Sequence, residues 1–127
     1  MKEKFELEFL FKTSPRVLEK MICTPSGLSE WFADDVDVEK DTYTFVWEGS
    51  EEKARLIQHK PNSNIRFKWL NDEDDGLDNY FEIGYIVDPM TSAVTIKVVD
   101  FAVPSEKESA ILLWEQQIHD LKRVLGA

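Results

Sequence analysis

The chain has 127 residues, of which 43% are hydrophobic and 31% charged, with a formal net charge of -10 and a single cysteine. That size suits one domain over residues 1–127, burying roughly two thirds of the surface its unfolded form exposes, and that composition argues against long disorder. The acid excess argues against nucleic acid and anionic membranes, which are recognised by clustered Lys and Arg, and no stretch approaches the ~18 apolar residues of a membrane span.

In chain order, Phe5, Leu7, Phe9 and Phe11 alternate with Glu6, Glu8 and Leu10, the period of a strand with one buried face. The opening MKEKFELEFLFK therefore reads as strand. A secretory leader would need an uninterrupted apolar run of about 7 to 15 residues. Ser14 and Pro15 give a cap followed by a preset first turn, so SPRVLEKMI predicts a short helix. Thr24 and Pro25 repeat the signal, and Gly27 to Phe32 predicts a second. Cys23 has no partner for a disulfide, as expected of a reducing cytoplasm, and reads as a buried, inert thiol.

From Asp34 the period returns to two. Val36 and Val38 are expected inward, with Asp35, Asp37 and Glu39 in solvent. Further strands follow at YTFVW, EKARLIQHK, NIRFKWL, NYFEIGYIV and SAVTIKVVDF, separated by turn residues such as Pro61-Asn62-Ser63-Asn64 and Asp88-Pro89. Neighbours so near in sequence pair as antiparallel hairpins. Ser105 and Glu108 have the spacing of a capping box, and Ile111, Trp114, Ile118, Leu121 and Leu125 then recur at steps of three and four, with Gly126 as the stop. A helix from about 105 to 125 would reach ~30 Å, enough to cross a sheet.

The predicted fold class is α+β: a strand, two short helices, a six-strand antiparallel meander and a long C-terminal helix packed across the sheet, the helix-grip arrangement. The segments PSGLSEWFADDV, YTFVWEGSEEKARL, IRFKW and LLWEQQIHDLKRVLG resemble a START-like domain of the SRPBCC superfamily, near the bacterial homologues of the activator of the heat-shock-protein-90 ATPase. The resemblance covers essentially the whole chain. It implies an apolar or amphipathic ligand, lipid-like, held between sheet and long helix. It also implies two alternatives: an interaction module with a chaperone partner, or an enzyme on the same scaffold.

The residues expected to line such a groove are Trp31, Tyr43, Phe45, Trp47, Phe67, Trp69, Phe81, Tyr85, Trp114 and Ile118, with Phe5, Phe9 and Ile83 on the same face. Aromatics with a few polar tips suit a small-molecule pocket, yet side chains this large also suit a filled core, and both readings stand open at this point. Trp31 and Phe32 are expected to plug one end of the groove, with Trp31 as gate in the alternative.

No catalytic or cofactor motif is present, so no enzyme activity, cofactor or metal is expected. His59 is expected to be exposed beside a turn, and His119 on the flank of the long helix. The loop from Asn71 to Asn79, extended to Glu82, partly matches calcium-loop spacing, but its flanks read as strands, so an acidic hairpin tip is the better account. Leu10, Val46, Ile86, Val99 and Phe101 fall on the outer sheet face, a candidate homodimer patch set against scattered surface residues.

Overall fold

The computed structural model describes residues 2–60, 63–71 and 79–126. Strand β1 (Glu3–Phe11) leads into helices α1 (Pro15–Cys23) and α2 (Pro25–Trp31). The meander follows as β2 (Asp35–Glu39), β3 (Thr42–Trp47), β4 (Ser50–Lys60), β5 (Asn64–Trp69), β6 (Phe81–Val87) and β7 (Val94–Ala102), and helix α3 (Lys107–Leu125) comes last. The sheet has seven strands in the order β1-β7-β6-β5-β4-β3-β2, antiparallel at every described pairing. β1 closes on β7, from Glu3 opposite Ala102 to Phe11 opposite Val94. This is the predicted helix-grip architecture.

The local signals explain the turns. Ser14 Oγ accepts from Val17 N–H at 3.3 Å, and Thr24 Oγ1 accepts from Gly27 N–H at 3.0 Å while donating to the Lys20 carbonyl. Thr24 thus ends α1 and starts α2, which bends the chain sharply. Gly27 is required at that corner, because a Cβ there would lie 2.0 Å from the Lys20 carbonyl oxygen and 2.6 Å from Met21 Cα. The β3–β4 hairpin turns on Glu48 and Gly49, both at positive φ, the geometry that matches strand twist in a two-residue turn.

Two sequence expectations fail. Val38 is 38% exposed and Val36 only half-buried, because β2 is the edge strand and has a neighbour on one side only. Ser105 makes no capping box: Pro104 opens a 3-10 turn over Pro104–Glu106, so Ser105 lacks the extended backbone a cap needs, and α3 starts at Lys107 without a side-chain cap. The other end is as expected. Gly126 adopts the left-handed conformation (φ 68°) and donates back to the last turn.

Candidate functional site

The inner face of the sheet is a lattice of aromatic rings. Phe45 and Phe67 are fully buried, and Phe81, Trp114, Ile118 and Tyr43 nearly so. Phe45 meets Phe67 edge-on at 5.6 Å, Phe67 stacks on Phe81 at 5.1 Å, and Tyr43 meets Phe67 at 4.8 Å. Phe32, at the end of α2, enters this lattice and packs against Trp31, Phe45, Trp47, Phe81 and Trp114 with centroids 5.1 to 5.7 Å away. Among the described residues these rings fill much of the space between the sheet and α3.

The lattice opens at one end. A solvent-open cleft of about 1270 Å³ lies between α2, the β3–β4 hairpin, the end of β5 and α3. Phe32 contributes to its lining, together with Trp31, Trp47, Trp69, Leu113 and Gln117. Two of its indoles are pinned by their N–H groups: Trp31 Nε1 donates to the Met21 carbonyl at 2.8 Å and Trp47 Nε1 to the Phe32 carbonyl at 2.6 Å, an oxygen that also accepts from Gln117 Nε2 at 3.1 Å. Trp69 Nε1 has no hydrogen-bond partner among the described residues. The rim carries Glu30, Asp34, Glu48, Glu52, Glu106 and Asp120 against Lys2 and Arg123. Arg123 already pairs with Asp120 at 3.1 Å, so the net field at the mouth is negative.

Of the ten residues expected in the groove, Trp31, Trp47 and Trp69 line this cleft. Tyr43, Phe45, Phe67, Phe81, Trp114 and Ile118 belong to the packed layer. Tyr85 stands towards the opposite end. A residue the sequence reading passed over holds α3 down: Asp100 shares the inner parity of Val94, Ile96 and Val98, and its Oδ2 accepts from Trp114 Nε1 at 2.8 Å. Counting two by two along β7 exposes it.

The opposite end is polar. Glu19 and Cys23 sit one turn apart on α1, and Glu19 accepts from Tyr85 Oη at 3.1 Å while its other oxygen lies 3.4 Å from His59 Nε2. Burial, followed by the nearby Glu19 carboxylate, pushes the Cys23 thiol up to about 12. Burial and then the bond to Glu19 push the Tyr85 hydroxyl up to about 12, and burial raises Tyr43. Cys23 is half-buried, and His59 is exposed yet partnered; sequence alone offered no sign that they meet.

On the outer face, Arg66 joins Glu82 at 2.6 Å and lies 4.1 Å over the ring of Tyr80, which meets Phe101 edge-on at 5.1 Å. Val99 is only 4% exposed, flanked in register by Glu6 and Glu82, and Phe101 and Val46 are half-buried. Leu10 and Ile86, in one row through Thr95, remain exposed. Residues 72–78, most of the loop that partly matches calcium-loop spacing, lie outside the described residues. Glu82 is in β6, bonded to Arg66.

A seven-stranded antiparallel sheet gripped by one long helix, open at one end, defines a binding fold. Residues 1–127 match the family described as the START-like superfamily domain, and the chain belongs to that superfamily, whose fold commonly binds hydrophobic ligands. It is similar to BfR322 from Bacteroides fragilis, known from a solution NMR structure, at 34% identity and TM-score 0.68, over 98% of this chain and 91% of that one. The Aha1 dimer from Colwellia psychrerythraea shares the fold at TM-score 0.78 and 13% identity, over 94% and 93% of the two chains. Protein MLL2253 from Mesorhizobium loti does so at TM-score 0.72 and 15% identity, over 98% and 97%. No curated protein sequence matches the chain. Among the described residues no helix is long and apolar enough to cross a membrane.

Proposed function

We propose that this chain is a non-enzymatic binding domain that takes an amphipathic small molecule, neutral or cationic at its polar end, in the cleft framed by Trp31, Trp47, Trp69 and Leu113. The observation that carries this reading is the cleft itself, about 1270 Å³ of open space bounded by indoles beside a layer of buried aromatic rings. Its volume exceeds the ~300–1,000 Å³ typical of pockets enclosing drug-sized ligands, which suits a flexible ligand lying partly in solvent. Apolar length lies along the indoles and Leu113 of the cleft. The acidic rim repels an anionic head group, so fatty-acid-like molecules are the disfavoured class.

Catalysis finds little support in this cleft. Its serine, Ser29, donates to the Ser26 carbonyl at 2.7 Å, and no histidine or cysteine lines it among the described residues. The deeper aromatics, Phe45, Phe67, Phe81 and Trp114, act as the rigid floor on which the cleft stands. Native mass spectrometry of the protein as purified, followed by solvent extraction, tests the reading. One retained amphiphile per chain is expected. A bare chain mass that stays bare after incubation with neutral and cationic amphiphiles would refute it.

A second reading, self-association through the outer sheet face, is favoured by one observation, the exposed row of Leu10 and Ile86 across Thr95. Sedimentation of the unmutated chain and of Ile86→Lys checks it: a dimer that dissociates in the variant supports it, and a monomer at high concentration removes it. A chaperone partner, implied by the likeness to the ATPase activator, would engage the acidic surface, and a low-salt pull-down that fails to enrich a chaperone removes that alternative.

A further inference from the structure

We propose that Glu19, Cys23 and His59 form a binding site for one zinc-class divalent cation at the end of the sheet remote from the cleft. The three side chains offer one carboxylate oxygen, one sulfur and one imidazole nitrogen, and these atoms lie within 4.8 Å of one another. With metal–ligand bonds of about 2.0–2.3 Å, tetrahedral geometry needs donor separations of about 3.3–3.6 Å. Glu19 Oε2 and His59 Nε2 already stand at 3.4 Å, and the other donor separations, at most 4.8 Å, need to shorten by about 1 Å on binding. A mixed sulfur, nitrogen and oxygen set suits zinc and disfavours calcium and magnesium, which take oxygen alone.

The backbone assembles this set from two elements. Glu19 and Cys23 are four residues apart on α1 and so share one face of the helix. His59 reaches the same side through a β-bulge. On β4, Leu56 pairs with the buried Phe67, but the register then shifts, so that Gln58 pairs with Arg66 and His59 with the buried Ile65. Strict alternation from Leu56 would send His59 to the outer face. The extra residue, Ile57, turns it towards α1, as bulges commonly do beside functional sites.

Support beyond the three donors is also present. Tyr85 Oη donates to Glu19 Oε1 at 3.1 Å, which orients the carboxylate as an outer partner of a metal ligand does. The side chains of His59 and Glu19 are 36% and 26% exposed, which leaves an approach for the ion and a fourth position for water. On binding, sulfur exchanges its proton for the metal, and that proton passes to solvent.

The test uses the whole chain stripped with chelator, then titrated with zinc against a chromophoric competitor, and in parallel with cobalt(II). One ion per chain and a thiolate-to-cobalt charge-transfer band are expected. Cys23→Ser and His59→Gln should each weaken zinc binding at least tenfold, as outer-partner changes alone weaken sites by 10–100-fold, while His119→Gln on α3 leaves it unchanged. Circular dichroism checks that the variants are folded. The cobalt band reads thiolate ligation in the unmutated chain, so the test holds even where a variant does not fold. Absence of that band, or zinc binding that survives both substitutions, would overturn the proposal and assign any bound ion to surface carboxylates.

Discussion

Phe32 meets five aromatic rings at once, and its carbonyl holds Trp47 and Gln117. It joins α2, the sheet and α3 at a single point. Truncation to alanine in such a lattice removes apolar burial and leaves a void, so Phe32→Ala should cost about 3–5 kcal/mol in urea unfolding; a loss below ~1 kcal/mol would contradict its place in the core. Cys23 gives a second prediction. Its thiol is held neutral to about 12 in the folded chain, against 9.0 for the free group. Alkylation of the metal-free protein near neutral pH should therefore run at least tenfold slower than that of free cysteine. The same shift fixes the sign of a pH effect. Above about pH 9 the unfolded thiol sheds its proton while the folded one keeps it, so stability falls as pH rises from 9 towards 12, and Cys23→Ala should flatten that slope. The aromatic positions were legible from the two-residue period of the strands. The polar end was not, because nothing in EKARLIQHK marks Ile57 as the bulged residue that redirects His59.

Helix α3 is seated by its apolar stripe and by the bond from Trp114 to Asp100. A hydrogen bond to a charged partner contributes about 1.5–3 kcal/mol, so Trp114→Phe, which keeps a ring but removes the donor, should lower stability by that order. Unchanged stability would mean that packing alone seats the helix. Between α1 and α2, Gly27→Ala should cost about 1–3 kcal/mol by overpacking against the Lys20 carbonyl, although alanine favours helix. An unchanged melting temperature would contradict the close approach at that corner. Cap, proline and glycine signals in the sequence place α1, α2 and the end of α3. The start of α3 is not legible in the same way, because the Ser105 and Glu108 spacing is shared by capping boxes and by a proline-led 3-10 turn.

At the scale of the whole molecule, the chain combines a packed aromatic interior, a negative cleft at one end and a carboxylate–thiol–imidazole cluster at the other. The helix-grip order was readable from element spacing, but the division between filled core and open cleft was not. It depends on where Phe32 and α3 stand relative to the sheet, a tertiary fact that period and composition do not contain. The net charge of -10 acts on binding through the rim. One carboxylate about 4 Å from a head group in water contributes about 1 kcal/mol of attraction or repulsion, so reversing the ligand's charge shifts affinity by about 2 kcal/mol per engaged carboxylate at low ionic strength. That selectivity should shrink as salt approaches 1 M, where screening reaches ~3 Å. The most direct measurement is a tryptophan-emission titration of the unmutated protein, below micelle concentrations, with decyltrimethylammonium and with decanoate. Saturable binding of the cation at least tenfold tighter than the anion, and weakened in Trp69→Ala, is the predicted result; no saturable change with either, or a preference for decanoate, would contradict the account.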